Sequence, residues 1–487
     1  ELEENLVFLR PLGLRLRKGE RVFLLGHALS GVSIHPAQGR KCELNPMFTE
    51  EAAWELRYDN SYPTVIYDSQ DGLYKLFYSI IVEDEECRKT PVEQRLGKTY
   101  IPRADRIVAL AYACSRDGLH WEKPNLGIVD YHGSKENNLL LIKTHGAGVM
   151  LDDKETDPAK RYKLIALDDD PEKADRPDGR FAQMSYSFSP DGIRWDRLKP
   201  WPEHNPWGDT DNFPLRDPAD GKFRLITRTW HNGMRMAVTC ESDDFIHWTE
   251  EKPALHGTGY HDQVYSMPVF VREGLYLGLA SIYHEGDRSA QDFDCVDLEL
   301  TYAKDPTEFF YAAKGEPFIP RGNGTYHNGE FDCCCIFAAP PIIEDGKMHF
   351  YYMGGNGQHT NFRETSFGRI TFDEDKFAYI TSNTSDSEGR ILTSALRAEA
   401  DGIWVLADFD ENSSLRAALL AGDDYESPEG FSESDCKLVK EPDGWTRLEF
   451  ARPLSELKGK NFCMRFVIKN VKLYAVKGGF RCVSGRY

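Results

Sequence analysis

Carboxylates, amides and histidines recur just ahead of short apolar strands in this sequence. WELRYDNSYPTVIYD carries Glu55, Asp59 and Asn60; KTHGAGVML carries His145; WGDTDNFPLRD carries Asp209, Asp211 and Asn212. YHDQVYSMPVF carries Asp262 and Tyr265, and TYHNGEFDCCCIF carries His327, Glu330 and Asp332. Two carboxylic acids facing one pocket can divide acid–base work, because burial and like-charge repulsion hold a proton on one and leave the other ionised. Cleavage of an acetal needs that division: one acid protonates the departing oxygen while a carboxylate attacks or activates water. Trp54, Trp207, Tyr260 and Tyr326 stand close to these acids in the chain, and aromatic faces suit sugar rings. Asp at a strand start also has an ordinary role as a turn cap, for which Glu330 is the poorer candidate.

Repeated hairpins must position these groups. SRDGLHWEKP from Ser115, SPDGIRWDRL from Ser189 and ESDDFIHWTE from Glu241 share one phrase, and TYAKDPTEFFY from Thr301 is a worn copy. A residue repeated in every copy cannot sit in a single site, so the phrase reads as a staple in which Asp caps backbone N–H groups and Trp is buried. A second phrase alternates with it: YDSQDGLYKLFYS, DPAKRYKLIAL, RDPADGKFRLITR, REGLYLGLASIY and EDGKMHFYYMGG. Five such inner hairpins interleaved with outer ones, the last being FGRITFDEDKFAYI, predict an all-β fold. The expectation is a five-bladed β-propeller over residues 1–387, with segment 1–50 packed on it. Beyond residue 388 the short alternating strands RILTSAL, GIWVLADF, LRAALLAG, WTRLEF, NFCMRFVI and VKLYAV predict a C-terminal β-sandwich over 388–487. Inner strands of a propeller begin around the central channel, so the acids ahead of the inner hairpins are expected to converge.

The 487 residues, 40% hydrophobic and 28% charged, suit a globular chain, and 12% aromatics suit strands and sugar-stacking surfaces. A formal net charge of -20 with no offsetting basic stretch argues against nucleic acid and anionic membranes and favours a neutral substrate. The absence of a long apolar run and of a signal-peptide pattern at the start leads to the expectation of a soluble protein of the cytoplasm or periplasm. The 11 cysteines, three of them consecutive at Cys333, Cys334 and Cys335, lack paired or zinc-binding spacing and read as reduced packing thiols rather than metal ligands. No nucleotide-binding glycine fingerprint occurs, so no cofactor is required. A structural Ca²⁺ held by channel Asp or His side chains is the ion such acidity would accommodate.

The inner-hairpin phrases resemble the five-bladed glycoside hydrolases that include invertases, levanases, arabinanases and β-xylosidases. FLLGHALSGVSIHP, ELNPMF, YPTVIYDSQDGLYKLFYS, SRDGLHWEKP, REGLYLGLASIYH and GRILTSAL are similar to bacterial proteins with an invertase-like propeller domain. The resemblance implies a glycosidase acting on a neutral furanoside polymer such as a fructan or arabinan. Its catalytic roles would fall on Asp59, Asp211 and Glu330, with Asp262 and Asp332 as rivals for the acid. Trp54, Asn60, Trp207, Asn212, Tyr265, His284, His327 and His359 would face the sugar. The family's Asn-Asp-Pro-Asn-Gly motif is absent, and the Arg216-Asp217-Pro218 string falls in a turn. Three alternatives stay open. The Asp-turn-Trp phrase is also similar to the Asp-box of sialidases, which have six blades and an arginine cluster. A phosphorolytic relative would bind phosphate with His261, His284, His327 or His359 and Arg321 or Arg363. A non-catalytic carbohydrate-binding propeller would leave its acids scattered around the rim. Any homo-oligomer is expected to form through the β-sandwich.

Overall fold

The computed structural model describes residues 5–8, 30–103, 106–169, 182–421 and 426–483. Their fold is essentially all-β, in two units: Gly39–Thr371, and Glu1–Gln38 together with Phe372–Tyr487. Segment 1–50 is therefore divided between the units rather than packed on the first one as a whole. Asn5–Phe8 pairs with Asn461–Cys482 and Val32–Pro36 with Ala378–Ser382, while residues 9–29 lie outside the described set. Among the described residues no helix is long and apolar enough to cross a membrane.

The unit Gly39–Thr371 is a succession of antiparallel meanders. The first runs Thr64–Asp68, Leu73–Glu83, Ile107–Ser115 and Trp121–Glu122; the second Thr144–Leu151, Tyr162–Asp168, Gln183–Ser189 and Lys199–Pro200. The third runs Phe213–Arg216, Phe223–His231, Met234–Ser242 and Lys252–His256. In the fourth, Gln263–Ser266 and Val269–Arg272 share the edge of Leu275–Tyr283, followed by Val296–Ala303 and Phe310–Tyr311. The fifth begins with Cys335–Ala338 and Ile342–Glu344 on Lys347–Gly355, continues to Thr365–Asp373, and ends on Arg40–Lys41. Here the FGRITFDEDKFAYI hairpin expected from the sequence does not form. Ala378–Ser382 joins the other unit, and the free edge of Thr365–Asp373 is covered by Arg40–Lys41, with Ile370 opposite Lys41. An uncovered edge would present unpaired backbone groups.

Each meander buries its faces against its neighbours. Phe77, Leu110 and Tyr112 of the first pack with Val149, Tyr162 and Leu164 of the second; Ile165, Met184 and Phe188 of the second pack with Phe223, Phe245 and Trp248 around the third. Tyr351, Met353 and Phe367 of the fifth pack on Leu76, Tyr78 and Ala111 of the first. Buried carboxylates in the inner turns reinforce these seams. Asp68 takes both nitrogens of Arg161 at 2.7 and 2.6 Å, Lys75 at 3.1 Å and the Tyr162 hydroxyl. Asp152 pairs with Lys163 at 3.1 Å and with Arg216 of the third meander at 2.7 Å; Asp217 pairs with Arg224 at 3.2 Å and with Tyr276 of the fourth at 2.5 Å. Glu344 accepts from Tyr74 of the first meander at 2.5 Å. The pattern weakens in the last two inner turns: Glu344 of the fifth is a third exposed, and Glu273 of the fourth is exposed.

The Asp-turn-Trp phrase is a local staple in all three copies. Ser115, Ser189 and Ser242 hydroxyls accept from the N–H three residues on, and Asp117, Asp191 and Asp244 each accept two further backbone N–H groups. Trp195 and Trp248 donate their indole N–H back to the turn carbonyls of Gly192 and Phe245.

The second unit has eight strands around a core that includes Ile391, Leu396, Val405, Leu419, Met464, Phe466, Ile468 and Val476. Two of its expected strand pairs are each one long strand. GIWVLADF and LRAALLAG lie in Leu396–Ala421, and NFCMRFVI and VKLYAV lie in Asn461–Cys482. Partner numbers fall along one strand as they rise along the other, from Ile403 opposite Gly478 to Ala421 opposite Phe462, with a register break between Phe409 and Ser414. The polar Asp410-Glu411-Asn412-Ser413 run that reads as a turn is thus an irregularity within a continuous strand, with Asn412 at φ 62°.

Replacing Asp68 by Ala strands Arg161 without its buried counter-charge and leaves Lys75 only the more exposed Asp71, and should cost about 3–5 kcal/mol of stability. Replacing exposed Asp243 should change stability little. Burial raises the Asp68 carboxyl, but Arg161, Tyr162 and Lys75 more than offset it and hold it below the usual range. A depressed carboxylate stabilises the fold above its unfolded value near about 3.9, and that contribution is lost as pH falls below it. Denaturant unfolding at pH 7 and pH 3 should therefore show the wild-type advantage over Asp68→Ala shrinking at the lower pH.

Candidate functional site

The segment Arg57–Tyr62 opens the first meander in a backbone conformation that L-residues rarely adopt. Asp59, Ser61 and Tyr62 have φ of 58°, 58° and 45°. Such strain persists only where surrounding bonds over-determine it. Here the Thr365 hydroxyl donates to Asp59 O at 2.9 Å, the Ser61 hydroxyl to Tyr58 O at 2.8 Å, and Ser79 N to Ser61 O at 2.7 Å. The conformation presents Asp59 to two guanidiniums, Arg363 at 2.8 Å and Arg57 at 3.2 Å. Burial raises the Asp59 carboxyl, but Arg363 and Arg57 pull it well below the ordinary carboxylate range.

The other meanders supply matching groups. Arg228 donates to Asp209 at 2.8 Å and lies 4.5 Å over the Tyr265 ring. Arg235 donates to Gln263 at 2.9 Å and Glu285 at 3.0 Å, and lies 4.4 Å over Trp230 and 4.8 Å over Tyr283. Tyr265 and Tyr283 pack edge-on against His359 at 4.7 and 5.0 Å, and Tyr62 packs on His145 at 6.0 Å. His145 Nε2 is 3.1 Å from Asp209 Oδ1, close enough for an ion pair but off the line of a hydrogen bond. Burial opposes its charge, yet the Asp209 carboxylate raises His145 above a free imidazole. Asp209, itself raised by burial, is drawn down to about 2 by His145 and Arg228. His359 goes the other way: burial first, then Arg363, depresses it far below an ordinary imidazole, so it is neutral at pH 7.

Both carboxylates in this cluster are therefore ionised and already held by cations, while the cations retain unused donors. Arg57 Nη1, Arg228 Nη1, Arg235 Nε and Arg363 Nε are buried with no acceptor among the described residues. Buried guanidinium N–H groups without partners cost free energy. Four in one cluster make a surface suited to an oxyanion. Around it Trp207, Trp230 and Tyr260 stand 51%, 37% and 52% exposed, where sugar faces could stack. A cleft of about 870 Å³ lies along the Gly357, Gln358, Asn361 and Phe362 backbone and is also lined by Phe293, Arg321 and Tyr326.

The structure distributes the other expected site residues differently. Asn60 accepts from Arg363 at 2.5 Å and donates to Tyr62 at 3.0 Å, so it positions the arginine. Asn212 is consumed by the backbone carbonyls of Gly146 and Gly208 and by the Thr227 hydroxyl. Trp54 donates to Asn138 at 2.8 Å and packs into the core. Asp211 is buried, and burial alone pushes its carboxyl well above the usual carboxylate range, which disfavours the charged form that would stabilise a cation. Asp332 is paired with Lys41 at 2.7 Å and Tyr352 at 2.8 Å, which ties the strand Arg40–Lys41 to the fifth meander. Glu330 caps Asn323 N at 2.7 Å. Asp262 and His284 form their own ion network: Nδ1 of His284 meets Asp262 at 3.0 Å and Nε2 meets Asp297 at 2.8 Å, with Arg321 on Asp297 at 2.7 Å. Burial lowers His284, but Asp297 overrides it and pushes it up to about 9. His327 neighbours cleft residue Tyr326, its ring 5.4 Å away. Among the described residues no group of three or more His, Cys, Asp or Glu is placed to hold a metal ion.

Sequence reading missed Arg228 and Arg235. The signal lay in Phe223–His231, where Arg228 shares a strand face with buried Ile226, an expensive place for a charge unless something there requires it. If Asp209 is the main group favouring protonated His145, Asp209→Asn should lower its titration midpoint, leaving burial opposed only by the weaker effects of Asp169 and Asp59. NMR titration of His145 should find that midpoint above about 6.5 in the wild type and below it in the variant.

No family model and no curated protein sequence matches the chain. Among solved structures it is similar in fold to an N-acetylgalactosamine deacetylase from F. plautii in complex with blood group B trisaccharide, at 14% identity over 70% of this chain and 96% of that one, TM-score 0.45. It is similar to a glycosyl hydrolase from Bacteroides ovatus, at 16% identity over 70% and 94%, TM-score 0.45. It is also similar to the β-1,2-mannobiose phosphorylase from Listeria innocua in complex with β-1,2-mannobiose, at 14% identity over 69% and 97%, TM-score 0.45. None of the three is described as an invertase or a levanase, and likeness at this level assigns no role to any residue.

Proposed function

We propose that the five meanders form a five-bladed β-propeller and that the protein cleaves a glycosidic bond at its centre by transfer to inorganic phosphate. The observation that carries this reading is the pairing of two ionised, cation-bound carboxylates, Asp59 and Asp209, with four buried guanidinium donors that have no acceptor among the described residues. A hydrolase working by paired carboxyl groups needs one of them protonated, so Asp59 and Asp209, both drawn down by cations, cannot divide those roles between them. A phosphate nucleophile needs no carboxylate to activate it; it needs cations that hold it in line with the sugar carbon, which Arg57, Arg228, Arg235 and Arg363 supply. A phosphate oxygen bonds to the anomeric carbon as the glycosidic C–O bond breaks, and the departing oxygen takes a proton from His145, held charged by Asp209. The Arg-bound phosphate hydroxyl returns a proton to His145 as the glycosyl phosphate forms. Trp207, Trp230 and Tyr260 supply stacking faces for the sugar. The strongly negative net charge, which favours a neutral substrate, is compatible with this local cationic centre because short-range guanidinium contacts outweigh a screened long-range field.

The same donors would also hold the carboxylate of an acidic sugar. The two oxyanion sources are separated by incubating the protein with neutral disaccharides and with sialosides or uronides, with and without phosphate, and following products by ³¹P NMR. Phosphorolysis predicts a sugar phosphate from a neutral disaccharide only when phosphate is present. Arg363→Gln should lower that rate by about 10²–10³ without unfolding the protein. Phosphate-independent cleavage of an acidic sugar would replace phosphorolysis with hydrolysis anchored on the sugar carboxylate, and no cleavage of any substrate would refute the enzymatic reading.

A further inference from the structure

A pair of thiols that this chemistry does not use lies where the fourth and fifth meanders meet. Cys295 immediately precedes Val296–Ala303 and Cys334 immediately precedes Cys335–Ala338. Val296 pairs with Cys335 in a parallel bridge, and Val296 N donates to Cys334 O at 3.0 Å. Cys295 and Cys334 are thus the preceding neighbours across that junction, and their sulfurs are 3.1 Å apart. Neighbouring strands run about 4.7–4.9 Å apart, within the about 4.4–6.8 Å of Cα separation that a disulfide spans. Closing the sulfurs to about 2.05 Å asks for a movement of about 1 Å. Both residues are buried, yet both line the cleft, so a small oxidant has a route to them. The hydrogen bond from Cys334 lowers the Cys295 thiol, and the Arg321 guanidinium adds to that against the opposing effect of burial. Cys295 is accordingly the nucleophile of the pair.

We propose that Cys295 and Cys334 are a redox modification site, converted to an intrachain disulfide by a peroxide entering through the cleft. The Cys295 thiolate attacks a peroxide oxygen, the O–O bond breaks, and the released hydroxide takes a proton to leave as water, with Cys295 now a sulfenic acid. The Cys334 sulfur attacks that sulfur, the S–S bond forms, and the sulfenic oxygen leaves as a second water with the Cys334 proton. Two thiols and one hydrogen peroxide become one disulfide and two waters, with the sulfurs oxidised and the peroxide reduced. The junction also carries part of the oxyanion cluster. Cys333 and Cys335 thiols donate to the carbonyls of Asn356 at 3.2 Å and Gly357 at 3.5 Å, and Asp294 accepts from the Thr360 hydroxyl at 2.6 Å. These bonds hold the segment that presents His359 and Arg363, so the link would stiffen one wall of the site.

The test treats the full-length protein with hydrogen peroxide in slight excess, then alkylates, digests and identifies peptides by mass spectrometry without reduction. The expected result is a loss of two alkylatable thiols, an intact mass lower by about 2 Da, and a peptide pair joined through Cys295 and Cys334. The link should persist in Cys333→Ser and disappear in Cys295→Ser and Cys334→Ser. Reduction with dithiothreitol should restore both thiols. Retention of both free thiols in the wild type, a link through Cys333, or sulfinic acid on an unlinked Cys295 would each overturn the proposal, and these readings on the wild type do not depend on how well any variant folds.

Discussion

A carboxylate shut into the first turn of a hairpin stays ionised only if cations and hydroxyls reach it, and in this protein they come from the next meander as well as its own. Asp68 draws Lys75 from its own hairpin and Arg161 and Tyr162 from the second meander; Asp152 draws Lys163 and Arg216; Asp217 draws Arg224 and Tyr276. Each is a network in which the cations also reach flanking acids, Lys75 to Asp71, Lys163 to Glu155, and Arg224 to Asp220 and Glu241. The repeated seams set the angular position of each meander against the next. That is what brings strand starts far apart in sequence to a common centre. The contact of Glu344 with Tyr74 belongs to the same series and ties the fifth meander back to the first.

The centre obeys a related electrostatic rule with the opposite balance. At the seams, cations saturate acids. At the centre, Asp59 and Asp209 leave several guanidinium N–H groups over, and neighbouring aromatic faces of Tyr100, Tyr265, Tyr283 and Trp230 receive the cations. Aromatic faces stabilise a guanidinium without occupying its in-plane donors. The cluster can therefore remain charged and pre-organised while its hydrogen-bonding edges stay directed at a ligand. The opposing shifts of His145 and His359, one raised and one lowered, follow from which of them lies beside a carboxylate and which is buried beside Arg363.

The sequence made the local devices legible. Ser115 and Asp117 act through bonds within a few residues, and Trp195 and Trp248 bond back to their own turns, so the spacing alone reveals the turn. The inner hairpins were equally readable, because the Asp-Gly turns and flanking aromatic strands are also local. Long-range features were hidden. Arg40–Lys41 is two residues long and closes a sheet whose other strands lie near the far end of the unit, so no local pattern marks it. Asp410-Glu411-Asn412-Ser413 has turn composition but is carried through a strand by pairing with Asn461–Cys482. At the site, strand-start position pointed to Asp59 but preferred Asp211 to its neighbour Asp209, and it gave equal weight to Asn212, Asp262 and Asp332. The partners that occupy those three, Thr227, His284 and Lys41, lie on other strands. Arg228 and Arg235 escaped notice because they stand within strands, toward the far turn of their hairpin, rather than ahead of the inner strands.

The two-residue strand that seals the fifth meander has a consequence for how a nascent chain reaches this fold. Arg40–Lys41 leaves the ribosome before nearly everything it must pair with, and Lys41 waits for Asp332. The entropy of closing so long a loop grows only by about 0.6 kcal/mol per doubling of its length, so the ring is thermodynamically affordable. The timing is the harder constraint. Until the start of the unit docks, the edge of Thr365–Asp373 is an open template for any extended segment, its own or that of another chain. Refolding yield should thus be governed by competition between a tethered strand, whose effective concentration is constant, and free chains, whose concentration is not.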